Sequence, residues 1–324
     1  MERCILGNSD LSVSELCLGT MNFGWKEPQE NSKARLDEFV RAGGNFIDTA
    51  NVYSRREAPG KDFYGKDFGE YTDGTSERLI GDWVRYRGCR KDVVIATKVG
   101  FAYPGIEIGT SAVQIKVECE KSLSRLQSDY IDLLYLHMDD RKTPFEESPY
   151  AMTELVKEGK VRYIGASNFA TWRLAKAEEI AKRYGFETFC CVQQKYSYLR
   201  PKHGSDFGRQ VIAGDGLFDY AASSGITVLA YSPLLKGYYG DRRKSLPIQY
   251  EGPDSAARLR CLDEVAEEVG ATPVQIVYSW LMHHRERIIP VVAASASGQL
   301  EQAFEATRLS LSDKQIERLN NAGI

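Results

Sequence analysis

The chain has 324 residues, of which 43% are hydrophobic and 27% charged, and carries a formal net charge of −3. That is the make-up of a soluble globular protein; it excludes a broad basic face for nucleic acid or a polybasic membrane surface, and the length permits one large α/β domain or two ordinary ones. Seven scattered cysteines, an odd number, fall mostly within apolar strand or helix patterns and read as reduced core residues. The start Met-Glu-Arg-Cys has no apolar signal region, and no apolar run approaches the ~18 residues of a membrane span, so a cytoplasmic protein is expected.

Arg3 to Leu6 and Leu11 to Val13 flank Gly7-Asn8 and predict a small hairpin, placed to cover the bottom of a barrel. Glu15 to Gly19 is a first buried strand, Ser32 to Arg41 a helix by its apolar spacing, and Gly43-Gly44 its stop. Asn45 to Asp48 is the second strand, followed by a long loop and a helix from about Ser76 to Tyr86. Strand 93–98, a helix from Ser111 to about Leu126 with a capping box at Ser111-Ala-Val-Gln114, strand 130–137 and a helix near 145–158 continue the alternation. Val161 to Ser167, a helix from Thr171 to Tyr184, Phe189 to Gln194, a helix ending near Ser224, and Thr227 to Tyr231 follow. Helices at 255–269 and 273–285, the second opened by the box Thr272-Pro-Val-Gln275, precede an eighth strand at Ile288 to Val292. This count predicts one α/β domain over 1–324, a (β/α)₈ TIM barrel with an N-terminal β-hairpin and extended loops at its C-terminal face. No Gly-x-Gly-x-x-Gly follows the first strand, which counts against a doubly wound dinucleotide fold.

Four chemically suited side chains fall at or just beyond strand C-terminal ends: Asp48, Tyr53, Lys98 and His137. Parallel barrels build their sites at that end. A phenol has a pKa near ~10 and needs a nearby cation to give up its proton readily, and Lys98 is the candidate. His283 and His284 are adjacent on a helix and face different ways, with no carboxylate or cysteine at ligand spacing, so no metal site is expected.

Six motifs in register extend this. Asp48-Thr-Ala-Asn-Val-Tyr53, Lys98, Asp132-Leu-Leu-Tyr-Leu-His137, Gly165-Ala-Ser-Asn-Phe169, Gln193-Gln-Lys-Tyr196 and Ala230-Tyr-Ser-Pro-Leu234 together resemble the aldo-keto reductase superfamily over nearly the whole chain. The resemblance implies hydride transfer between NAD(H) or NADP(H) and an aldehyde, ketone or sugar carbonyl, with Tyr53 as general acid and base, Lys98 and Asp48 tuning it, and His137 aiming the carbonyl. It implies cofactor contacts from Thr20, Met21, Asp48, Ser167, Asn168, Gln193, Tyr231, Ser232, Leu234, Ser295 and Gln299. Substrate contacts would come from Trp25, Tyr53 and His137. Ser167-Asn168 could otherwise simply cap the following helix. A rival from another class is a non-catalytic or redox-sensing subunit like the potassium-channel β-subunits, which resemble the same family.

The loop from Ser54 to Thr75 carries Phe63, Tyr64, Phe68 and Tyr71 and predicts a lid, with Trp25 on the opposite wall and Arg200 to Gly216 on a third side. Aromatic faces beside charges and amides suit a sugar- or polyol-like substrate. Pro290 to Gln299 contains no basic residue, where family members that prefer NADPH place one. The expectation is that NAD(H) serves at least comparably to NADP(H), unless Arg242, Arg243 or Lys244 supplies the missing charge.

Overall fold

The computed structural model describes residues 1–53, 55–61, 67–72, 74–284, 288–293 and 298–323. Arg3–Ile5 (β1) and Ser12–Ser14 (β2) pair antiparallel. Eight parallel strands then close into a barrel in chain order: Cys17–Gly19 (β3), Phe46–Asp48 (β4), Val94–Val99 (β7), Ile131–Leu136 (β8), Val161–Ser167 (β9), Cys191–Lys195 (β10), Thr227–Tyr231 (β11) and Ile289–Val292 (β12). Between β4 and β7 lies a separate antiparallel pair, Arg55–Lys61 (β5) and Asp67–Thr72 (β6). The helices are Gln29–Arg41 (α1), Thr75–Arg87 (α2), Ala112–Leu126 (α3), Glu147–Lys157 (α4), Thr171–Tyr184 (α5), Asp215–Ser224 (α6), Ser255–Val269 (α7), Pro273–Met282 (α8), Gln299–Ala306 (α9) and Asp313–Asn321 (α10).

The two-residue period of a strand divides the barrel side chains between two cores. Ile47, Ile95, Leu134, Leu136, Val192 and Val228 face outward into the layer shared with the helices. Cys17, Phe46, Val94, Ala96, Leu133, Tyr135, Cys191, Leu229 and Ile289 face inward and pack with Leu6, Leu11 and Val13 from the hairpin, which therefore closes the N-terminal end of the barrel. Gly165 leaves room for one of these: a Cβ there would stand 2.7 Å from the Tyr135 ring.

Capping follows sequence where the side chains are free to act locally. Thr272 and Gln275 form the full reciprocal box at α8, and so do Ser312 and Gln315 at α10. At α3 only half forms, because Ser111 accepts from the Gln114 backbone while the Gln114 side chain donates to the Glu107 carbonyl instead. The stretch read as a loop between 54 and 75 contains the β5–β6 hairpin, whose Ala58-Pro59-Gly60 looks like a breaker in sequence. Its register shifts between Glu57 and Gly60, so proline falls in a bulge where no ladder donor is needed. Phe63 and Tyr64 lie outside the described residues.

Gly7 has φ +53°, donates to Thr227 Oγ1 at 2.7 Å, and would bring a Cβ to 1.9 Å from the Cys190 carbonyl oxygen. Gly7→Ala is therefore expected to destabilise the fold by about 1–3 kcal/mol, read as a lower urea midpoint at unchanged slope. A midpoint equal to that of the unsubstituted chain would show that the hairpin turn relaxes freely.

Candidate active site

The inward parity that places Phe46 and Ala96 in the lower core brings Asp48, Lys98, His137, Ser167, Gln193 and Tyr231 to the same inner face one or two steps further along, at the C-terminal rim. Lys98 is fully buried. Its ammonium has three protons and three acceptors: Asp48 Oδ2 at 2.6 Å, the Thr49 carbonyl at 2.7 Å and the Tyr53 hydroxyl at 3.4 Å. Burial pulls the Lys98 pKa down, but Asp48 and Tyr53 outweigh it and the net direction is upward. Lys98 therefore stays protonated.

Asp48 is held from both sides, since its Oδ1 accepts from Gln193 Nε2 at 2.8 Å. Tyr53 is half-buried in the turn after β4, which is tied down by Asn51 N–H to the Lys98 carbonyl and by Tyr53 N–H to the Ala50 carbonyl. His137 is 8% exposed and lies edge-on to Phe101, centroids 4.4 Å apart, and to Tyr53 at 5.9 Å. Burial first, and the Lys98 charge second, hold its imidazole well below the usual histidine range. His137 Nδ1 is buried without a hydrogen-bond partner among the described residues. An orphaned acceptor is cheaper to bury than an orphaned N–H, so the proton belongs on Nε2.

Asn168, at φ +59°, donates from Nδ2 to the His137 carbonyl at 3.0 Å and to Ser167 Oγ at 3.1 Å. Its Oδ1 accepts from the Tyr231 hydroxyl at 2.7 Å and from Val211 N–H at 3.2 Å. Its amide is thus used up inside the protein. The helix-cap alternative fails, because the N-cap of α5 is Ala170 and has no side-chain cap bond. Thr20 donates to the Asp48 carbonyl at 2.9 Å and accepts from Ser76. Trp25 Nε1 donates to the Met21 carbonyl at 2.5 Å, and Met21 is exposed. Ser232 is exposed at φ +55°, Leu234 is half-buried, and Gln299 opens α9. Ser295 lies outside the described residues.

Sequence reading missed Lys195, although the same two-residue step from Gln193 leads to it. Its Nζ lies 5.9 Å from the Tyr231 ring centroid and 5.7 Å from that of Phe207, and burial, then Lys236, pull its pKa down to about 8. Neither lysine forms an ion pair among the described residues. A half-exposed ring anchored by its hydroxyl, with the Lys195 ammonium beside it, is a donor set that fits a nicotinamide dinucleotide with its anionic diphosphate. His283 is exposed, with its Nδ1 at 2.8 Å from the Ser279 carbonyl, while His284 is half-buried against the Phe218 ring.

The lowered His137 pKa has a thermodynamic consequence. The folded chain resists protonation there while the unfolded chain takes up a proton below about 6.5, so the stabilisation is present above that pH and is lost progressively as pH falls from there toward the lower folded value. His137→Gln should reduce the fall in unfolding free energy between pH 7 and pH 5. Equal slopes for the two proteins would show that the imidazole charges in place.

The aldo/keto reductase family model matches residues 15–324. An uncharacterized oxidoreductase, YrpG, of Bacillus subtilis is 32% identical, covering 99% of this chain and 95% of that one. The norsolorinic acid reductase stcV of Emericella nidulans is 33% identical over 96% of this chain and 78% of its own. The aryl-alcohol dehydrogenase [NADP(+)] of Phanerodontia chrysosporium is 28% identical over 96% of this chain and 83% of its own. Among solved structures, the thermostable aldo-keto reductase Tm1743, crystallised with the inhibitor epalrestat, superposes with a TM-score of 0.74 at 28% identity, covering 99% of this chain and all of that one. With the barrel, the rim side chains and a family match from residue 15 to the C-terminus, this chain belongs to the aldo/keto reductase family of oxidoreductases.

Proposed function

We propose that the protein interconverts a carbonyl and an alcohol, with Tyr53 as the group that gives and takes the proton. The observation that carries this reading is the Lys98 ammonium, buried and directed at once to Asp48, Thr49 and the Tyr53 hydroxyl. A nicotinamide dinucleotide, when bound, supplies or removes the hydride. The remaining work falls to the chain itself. As negative charge develops on the carbonyl oxygen, the Tyr53 hydroxyl delivers its proton there, and the neighbouring Lys98 charge stabilises the phenolate left behind. Asp48 keeps Lys98 charged and in place. The neutral His137 donates from Nε2 and sets the direction of the carbonyl. Ser167, Gln193 and Tyr231 would hold the nicotinamide, with Asn168 acting by anchoring the Tyr231 hydroxyl; Thr20, Met21, Ser232, Leu234, Ser295 and Gln299 would border the rest of the dinucleotide.

The named activities of the relatives and the aromatic rings beside His137 favour an aromatic aldehyde or ketone over a sugar as substrate. A panel of aryl aldehydes, aryl ketones and sugars, assayed in both directions, tests this. Tyr53→Phe should fold and lose about 10² to 10⁴ in rate; a loss below tenfold on every active substrate would sink the assignment, and absence of turnover by the unsubstituted chain would favour the non-catalytic subunit reading. Lys98→Met should also move the tyrosine-linked limb of the pH–rate profile upward.

For the cofactor we retain acceptance of NAD(H) at least comparable to NADP(H). Arg242 and Arg243 are engaged by Asp263 at 3.0 Å and Asp241 at 2.8 Å, and Lys195 beside Tyr231 would serve a diphosphate common to both cofactors. Fluorescence titration with NADH and NADPH at matched ionic strength should give affinities within tenfold. NADPH binding more than tenfold tighter would refute it.

A further inference from the structure

Glu118 lies on α3, outside the barrel, and is 1% exposed. In sequence it is one charge among several on an amphipathic helix. In the structure its carboxylate joins two segments that border the site. Oε2 accepts from Asn51 Nδ2 at 2.8 Å, both oxygens accept from the Tyr103 hydroxyl at 2.8 Å, and Lys121 reaches Oε1 at 2.8 Å from the partly exposed side.

Asn51 stands in the turn that carries Tyr53, and its backbone N–H is bonded at 3.1 Å to the carbonyl of Lys98. Among the described residues its side-chain oxygen is buried without a hydrogen-bond partner and its Nδ2 is bonded to Glu118, so Glu118 fixes where that amide points. Tyr103 belongs to the segment after β7 that also supplies Phe101, the ring packed on His137. One buried carboxylate thus fastens the turn bearing the phenol to the segment that walls the imidazole.

We propose that Glu118 is a positioning residue for the reaction: through Asn51 and Tyr103 it sets the place of the Tyr53 hydroxyl relative to Lys98 and His137. This rests on the reading of Tyr53 as proton donor, yet it can fail separately. If Glu118 sets the Tyr53–Lys98 separation, Glu118→Gln lets the phenol drift from the ammonium, and Tyr53 becomes harder to ionise. Removing a nearby negative charge with no movement acts with the opposite sign.

The test is an NMR titration of the full-length protein labelled at tyrosine Cζ, with the Tyr53 signal assigned by its disappearance in Tyr53→Phe. Glu118→Gln should raise the Tyr53 midpoint by about one pH unit or more, and lower kcat for the best aryl aldehyde of the panel at least tenfold, with NADPH affinity within twofold. If Glu118→Gln does not fold, Asn51→Ala breaks the same link while leaving Glu118 to Tyr103 and Lys121, and should give the same upward shift. An unchanged or lowered Tyr53 midpoint in a folded variant, whatever its melting temperature, would overturn the proposal. Full activity of Tyr53→Phe would instead overturn the reading beneath it.

Discussion

A lysine ammonium with no solvent exposure is the constraint around which the upper half of the barrel is arranged. Removing such a charge from water costs several kcal/mol after relaxation, and breaking a buried pair by deleting one partner costs about 3–5 kcal/mol. Every proton of Lys98 therefore needs an acceptor, and Asp48 in turn needs Gln193. These groups come from β4, β7 and β10, so the pair can be satisfied only when the sheet has closed and the far side of the barrel has arrived. The candidate site and the closure of the barrel share one set of hydrogen bonds.

The same geometry explains the saturation of Asn168. Held in a left-handed conformation and bonded on every side, it links the carbonyl of His137 to the hydroxyl of Tyr231 and to the segment after β10. Such a fully satisfied polar group rigidifies its surroundings. The rim of the barrel is thereby a connected polar network, in which the His137 backbone, the Asp48 carboxylate and the Tyr231 ring have defined relative positions.

Much of this was legible in the chain because strand periodicity is local. Alternating residues carry Phe46 to Asp48, Ala96 to Lys98 and Leu133 through Tyr135 to His137, so a correct strand assignment already aims the side chains. The barrel, the hairpin plug and the Thr272 box follow from the same short-range rules. What was missed depends on distance in sequence. The β5–β6 hairpin is hidden by a proline that a bulge absorbs. The helices α9 and α10 were not assigned, although Ser312-Asp-Lys-Gln315 carries a capping signature. Glu118 becomes distinctive only when Asn51, 67 positions away, meets it. Gln114 shows the converse: the local pattern was present, and a nearby carbonyl took its side chain.

The hairpin that plugs the lower end also has a temporal consequence. Gly7 and its acceptor on Thr227 are separated by 220 positions. A ribosome adding roughly 5–20 residues per second needs on the order of ten seconds or more to produce the second after the first. During that interval Leu6, Leu11 and Val13 have no barrel floor to cover, and the apolar edge of the nascent sheet is open. Such long-range closure is slow and exposes chains to association. The hairpin thus waits on strands made long after it, and a chaperone that shields it would act on residues 1–14 while β8 to β11 are still being made.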